Sequence, residues 1–257
     1  MKQLPTSEDQ QVLNGNAVIT INNLNKSFGN QQVLCGVSLH LNKGENLVIL
    51  GKSGTGKSVL IKCIVGLLIP DSGEIKVLGQ SASGLEKKEL NELRKKIGFL
   101  FQSAALYDSM NVKENLEFPL VRIRKELNPK ERLEKIEEAL ENVGLKDALY
   151  KMPSQLSGGM RKRIGLARTL IVNPLIMLYD EPTTGLDPVT SEEISILINE
   201  LKEKYKTSSI IITHDLLCAK LTADRILLLR EGKVFAEGTM QELSNSDDEK
   251  VREFFKI

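Results

Sequence analysis

Gly51-Lys52-Ser53-Gly54-Thr55-Gly56-Lys57-Ser58 follows directly on an apolar run, Leu47-Val48-Ile49-Leu50. Glycines at this spacing let the backbone wrap tightly, so that successive N–H groups converge on an anion. A helix starting at Lys57 adds the positive end of its dipole. Lys57 is then placed to bridge β- and γ-phosphates, and Ser58 to hold Mg²⁺. Strand, glycine loop and helix in that order separate a phosphate loop from a chance glycine-rich turn. The chemistry is nucleotide binding.

A second apolar run, Ile176-Met177-Leu178-Tyr179, ends in Asp180-Glu181-Pro182. At the carboxyl end of a buried strand next to the glycine loop, Asp180 can orient a magnesium-bound water. Glu181 can position the water that attacks a γ-phosphate, or take its proton. Alone, Asp-Glu-Pro would simply close a strand; beside a phosphate loop it carries chemistry. Of the two histidines, His214 ends the run Ile210-Ile211-Ile212-Thr213, where an imidazole can hydrogen-bond both the γ-phosphate and the base. His40 alternates with apolar residues and reads as an ordinary strand residue. Leu156-Ser157-Gly158-Gly159-Met160 opens a basic helix. Its hydroxyl and free N–H groups make either a second phosphate-sized site or a plain N-cap with a glycine turn.

Positioning these groups takes alternating strands and helices. Short β-favouring runs from Ala17 to Leu41, punctuated by Gly29-Asn30 and Asn42-Lys43-Gly44, predict antiparallel strands. Leu47–Leu50 reads as a strand buried on both faces. A helix is expected over 57–68, a turn at 70–73, a strand over 74–78, a charged helix over 84–96 and a buried strand over 97–101. Beyond Gln102 the texture is helical, with Leu133, Ile136, Leu140 and Val143 on one face of a helix from Pro129 to Gly144. A further helix runs from Ser157 to about 172. Strands over 175–179, 209–213 and 225–230 alternate with helices over 188–205 and 215–222. The expected fold is α/β, a mainly parallel sheet covered on both sides, with a helical subdomain over 102–161 inserted in it. Residues 1–16 read as a lead-in, 17–240 as the main domain and 241–257 as a tail. Phe254, Phe255 and Ile257 in that tail would be exposed apolar residues in need of a partner.

Composition narrows the class. The chain has 257 residues, 41% hydrophobic and 27% charged, as in a soluble globular protein. A net charge of +1 gives no footprint for nucleic acid. No apolar run reaches the ~20 residues of a membrane span, and MKQLPTSEDQ has no secretory pattern. Three cysteines, Cys35, Cys63 and Cys218, lack metal-ligand spacing and read as buried thiols in a reducing compartment.

Glycine loop, Ser-Gly-Gly turn before a basic helix, then acidic strand end: this order resembles that of the ABC-transporter ATPases, over about residues 17–240. The resemblance implies a P-loop NTPase (RecA-like) core with an antiparallel β subdomain and the inserted helical subdomain. It also implies ATP and Mg²⁺ as ligand and cofactor. It makes Glu181 the catalytic base, with Lys57 and His214 stabilising charge, and gives Mg²⁺ to Ser58, Asp180 and Gln102. Gln102 would touch the attacking water as well. It implies that Ser157, Gly158 and Gly159, with Asp187 of Gly185-Leu186-Asp187, serve the nucleotide held by a second subunit in a homodimer. Phe28 matches the aromatic that stacks on adenine, with an ordinary edge or core aromatic as its rival. Met160-Arg161-Lys162-Arg163 and Leu178–Pro188 look like the Mla/Mce-type phospholipid transport ATPases, Met160 standing where glutamine is most common. Integral permease subunits, a lipid-binding Mce-type subunit and the cytoplasmic face of the inner membrane follow as expectations. An importer or exporter of another cargo, and a soluble ABC ATPase such as one in iron–sulfur assembly, are the rivals.

Overall fold

The computed structural model describes residues 16–82 and 84–255. The expected lead-in, apart from Asn16, and Ile257 lie outside them. Two sheets form the frame. β1 (Ala17–Phe28), β2 (Gln31–Asn42), β4 (Ser72–Val77) and β5 (Gln80–Ser81) build an antiparallel sheet of order β2-β1-β4-β5. β3 (Asn46–Leu50), β6 (Ile97–Leu100), β7 (Ile176–Asp180), β8 (Ser208–Thr213), β9 (Arg225–Arg230) and β10 (Lys233–Gly238) build the second, of order β10-β9-β3-β8-β7-β6. It is parallel except for β10, which pairs antiparallel with β9.

The apolar runs explain both faces. Along β3, Leu47 and Ile49 join a core shared with the antiparallel sheet, while Val48 and Leu50 face the helices on the other side. β7 divides the same way, Ile176 and Leu178 against Met177 and Tyr179. A strand residue alternates faces, so a continuous apolar run serves two cores at once. Every residue of β3, β7 and β8 is buried.

The helices are α1 (Lys57–Ile64), α2 (Lys87–Arg94), α3 (Val112–Ile123), α4 (Pro129–Asn142), α5 (Gly158–Leu170), α6 (Pro188–Tyr205), α7 (Leu216–Thr222), α8 (Met240–Ser244) and α9 (Glu249–Arg252). Between β6 and β7 the described chain contains no strand, only α3, α4, α5 and two short 3₁₀ turns. α4 opens with Asn128 as N-cap and Pro129 in its first turn, as the Asn-Pro sequence favours.

Several expectations need correcting. The helix from Lys57 stops at Ile64 rather than 68, because Gly66 takes a left-handed φ of 66° and ends it. The strand over 97–101 is an edge strand buried on one face only. β8 lies between β3 and β7, yet Asp180 stands next to the glycine loop as expected, 3.1 Å from the Ser58 hydroxyl. β10 has no sequence signal of its own because its turn, Glu231-Gly232, lacks the usual Asn-Gly pair, yet both residues adopt positive φ (50° and 73°) as a tight hairpin needs. In the tail, Phe254 and Phe255 pack partly buried against the main core beside Leu243 and Val251, so they do not require an outside partner. Cys63 and Cys218 are buried as expected, but Cys35 is only half-buried.

Candidate active site

Strand register assembles the site. Leu50 pairs with Thr213, Asp180 with Ile212, and Leu100 with Tyr179. The carboxyl ends of four parallel strands therefore finish at one edge, where ligands bind in open α/β sheets. The glycine loop leaves that edge after Leu50, Gln102 after Leu100, Glu181 after Asp180 and His214 after Thr213.

The loop is shaped by its glycines. Gly54 and Gly56 have φ of 80° and 101°, and a Cβ on Gly51 would lie 2.5 Å from the carbonyl oxygen of Leu229. Side chains on such positions would fill or strain the cradle. Gly56 caps α1, whose first turn holds no acidic residue to compete with an anion. Lys57 is buried; its Nζ donates to the carbonyls of Gly51 (2.7 Å) and Lys52 (3.1 Å) and lies 3.5 Å from Oε1 of Glu181.

Ser58 Oγ donates to Oδ1 of Asp180 across 3.1 Å. Burial pushes the Asp180 carboxyl upward, the Ser58 hydrogen bond opposing it. This pair of oxygen donors fits the Mg²⁺ implied by the resemblance, an ion that takes few protein ligands and completes its shell with water and phosphate.

Glu181 is the meeting point. Its φ of 50° is left-handed, a conformation a side-chain-bearing residue keeps only when its surroundings hold it. Its N–H donates to the carbonyl of Ile212 at 2.9 Å. Oε2 accepts from Thr184 Oγ1 at 3.1 Å and sits 2.8 Å from Nδ1 of His214. The imidazole is 55% exposed while Glu181 is 12% exposed, so the histidine reaches in from the solvent side. Beside them Thr183 Oγ1 donates to Asp215, which in turn caps α7.

Ser157, Gly158, Gly159 and Asp187 gather at a second place, around Thr190. Ser157 caps α5, its Oγ accepting from the N–H of Met160 at 3.2 Å. A Cβ on Gly159 would stand 2.6 Å from Thr190 Cγ2, and one on Gly158 3.3 Å from Leu186. Asp187 accepts from the Thr190 hydroxyl at 2.6 Å and its N–H at 3.0 Å; these bonds hold the exposed carboxyl below its ordinary range. Thr190 thus ties the glycine turn to the Asp187 loop, a link that no single motif announced.

Gln102 is exposed, and its main-chain carbonyl accepts from Lys162. Phe28 is 48% exposed at the end of β1, with Lys26 Nζ 5.5 Å from its ring centroid. Lys162 lies inside a basic run that gives no local sign of its burial. Its helical phase was the available signal: Gly159, Lys162, Leu166 and Leu170 all belong to the buried face of α5. Burial pushes its ammonium down to about 8, against the pull of Asp180 and Glu181.

Comparison with known proteins identifies a family. The family described as "ABC transporter" matches residues 34–184. The intermembrane phospholipid transport system ATP-binding protein MlaF of Haemophilus influenzae is 39% identical over 241 residues, covering 93% of this chain and 90% of that protein. The methionine import ATP-binding protein MetN of Rhizobium etli is also 39% identical over 221 residues; this chain spans 86% of its own length and 61% of MetN. A dimeric post-hydrolysis structure of the ATP-binding cassette MJ0796, bound to ADP and Pi, superposes with a TM-score of 0.78 at 34% identity. It covers 86% of this chain and 98% of that one. The chain belongs to the ABC transporter family and is one of its ATPases.

Proposed function

We propose that this chain powers phospholipid transport between membranes, as the ATP-hydrolysing subunit bound to a partner permease at the cytoplasmic face of the cell membrane. The observation that carries the cargo is the match to MlaF, which runs through 90% of that protein, against 61% for MetN at equal identity. MetN favours the second reading, import of a solute by the same ATPase.

In this reading Lys57 and the loop N–H groups hold the β- and γ-phosphates of ATP. Glu181 orients the attacking water and takes its proton, its carboxylate aimed by Thr184 and His214. His214 and Lys57 offset charge on the γ-phosphate. Ser58 and Asp180, with Gln102, would hold Mg²⁺, which when bound would neutralise phosphate charge. Ser157, Gly158, Gly159 and Asp187 serve the ATP held by the second copy, and Phe28 offers an exposed face to adenine. The dimeric form of the MJ0796 cassette supports the paired arrangement.

No described helix is long and apolar enough to cross a membrane, so translocation falls to other chains. The helical segment 102–161 is the proposed subdomain that meets them. Between it and β6 lies a groove of about 390 Å³ lined by Phe99, Phe101, Tyr107 and Phe118 with Arg94 and Arg168, suited to a docked permease helix. The test is affinity purification from detergent-solubilised membranes. An integral permease accompanied by an Mce-type lipid-binding subunit is expected. A solute-binding protein in its place would move the reading to import, and no membrane partner at all would overturn it.

A further inference from the structure

Lys162 is a charged side chain with 5% exposure. Burying an ammonium is unfavourable unless strong hydrogen bonds offset it, and a leucine or methionine would fill the same space without that penalty. What the ammonium adds is two charge-assisted bonds. It donates to the carbonyl of Gln102 at 2.6 Å and to the carbonyl of Glu181 at 3.1 Å. Both acceptors are main chain, and they lie beyond the ends of two neighbouring strands, β6 and β7.

Both segments are conformationally demanding. Glu181 has φ 50°, and Ala104 and Ala105, just past Gln102, have φ 60° and 46°. Such backbone persists only where the surroundings hold it. The Glu181 peptide is gripped on its N–H side by Ile212 and on its carbonyl side by Lys162. The 102–105 segment is gripped by α5 twice: by Lys162, and by Arg168, which donates to the carbonyls of Ala105 (2.8 Å) and Ala104 (3.0 Å). Gly165 on the same helix lets Ala104 approach, since a Cβ there would stand 2.9 Å from the Ala104 Cβ.

We propose that Lys162 is a positioning residue that joins the backbone of the Gln102 segment to that of Glu181 through α5. A shift of that segment, or of the helix whose start is the Ser157 turn, is thereby passed to the Glu181 carboxylate. The ammonium acts as a rigid two-point clamp and does not touch the reacting atoms. This rests on the reading of Glu181 as the base.

The experiment compares the full chain with Lys162→Met and Lys162→Arg. It reads amide hydrogen exchange without nucleotide, and kcat and KM for ATP with Mg²⁺. For Lys162→Met, exchange should quicken at least ~10-fold over 102–106 and 181–184, with β8 and α6 unchanged. kcat should fall at least ~10-fold, with KM moving less than ~3-fold. Lys162→Arg, which keeps the charge and the donors, should recover most of both. Lys162→Leu, which has no donor, replaces the Met variant by the same criteria should that variant not fold. Parental exchange and kcat in the neutral variant would overturn the proposal. So would loosening spread through the whole protein, or a failure of Arg to recover the loss. Parental hydrolysis by Glu181→Gln would remove the base assignment instead, while the exchange measurement would still decide the clamp.

Discussion

Nδ1 of His214 lies 2.8 Å from Oε2 of Glu181, the two residues standing just past the ends of the adjacent parallel strands β8 and β7. Neither could aim the other without that strand pairing. Glu181→Gln keeps the shape but removes the basic oxygen, so hydrolysis should fall ~10²–10⁴-fold. ATP binding should persist, and an ATP-bound dimer should accumulate on size-exclusion chromatography with ATP and Mg²⁺. His214→Ala leaves the base present but less well aimed, so its loss should be smaller. Parental turnover in Glu181→Gln would take the role from Glu181.

Lys57→Ala removes a buried ammonium that donates to the carbonyls of Gly51 and Lys52 at 2.7 and 3.1 Å. Its charge is also the one nearest Glu181 in the loop, at 3.5 Å. Titration with a fluorescent ATP analogue should show affinity reduced at least ~10-fold, which is about 1.4 kcal/mol. Unchanged affinity would place phosphate recognition elsewhere.

Gly159→Ala puts a methyl 2.6 Å from Thr190 Cγ2, and Thr190 holds Asp187 by two hydrogen bonds. Overpacking of this kind costs about 1–3 kcal/mol, which the fold survives. In a Glu181→Gln background the variant should still bind ATP as a monomer but fail to form the ATP-dependent dimer. A normal dimer would detach this turn from the second copy's nucleotide.

Arg225 ties the two sheets together. It donates to Glu45 beside β3 (2.6 and 3.0 Å) and to the carbonyl of His40 on β2 (2.7 Å), and it also pairs with Glu237 on β10. Breaking a buried pair costs ~3–5 kcal/mol, and partial exposure lowers that here to about 2 kcal/mol. Arg225→Ala should therefore lower Tm by roughly 4–8 °C. ATP affinity of the folded protein should stay at the parental level.

The cysteines should differ in reactivity. Burial pushes the thiols of Cys63 and Cys218 up to about 11, so little thiolate exists at pH 8. Cys35 is only half-buried on β2. Iodoacetamide at pH 8, followed by peptide mass mapping, should modify Cys35 at least ~10-fold faster than the other two.

Much of this protein was legible in the chain because its signals are local. The glycine loop, the Asp180-Glu181 strand end and the helix from Pro129 depend on neighbours in sequence, and each stands where its residue types predict. Continuous apolar runs announced β3, β7, β8 and β9 because strands buried on both faces have no polar side to show. Tertiary structure alone decided what those elements do to one another. It placed β8 between β3 and β7, folded Phe254 and Phe255 back onto the core, and made Lys162, one of a basic run, a bridge between two loops. Such outcomes depend on contacts between segments far apart in sequence. A residue's chemical type sets which bonds it can make, but only the packing of the whole chain selects the partner.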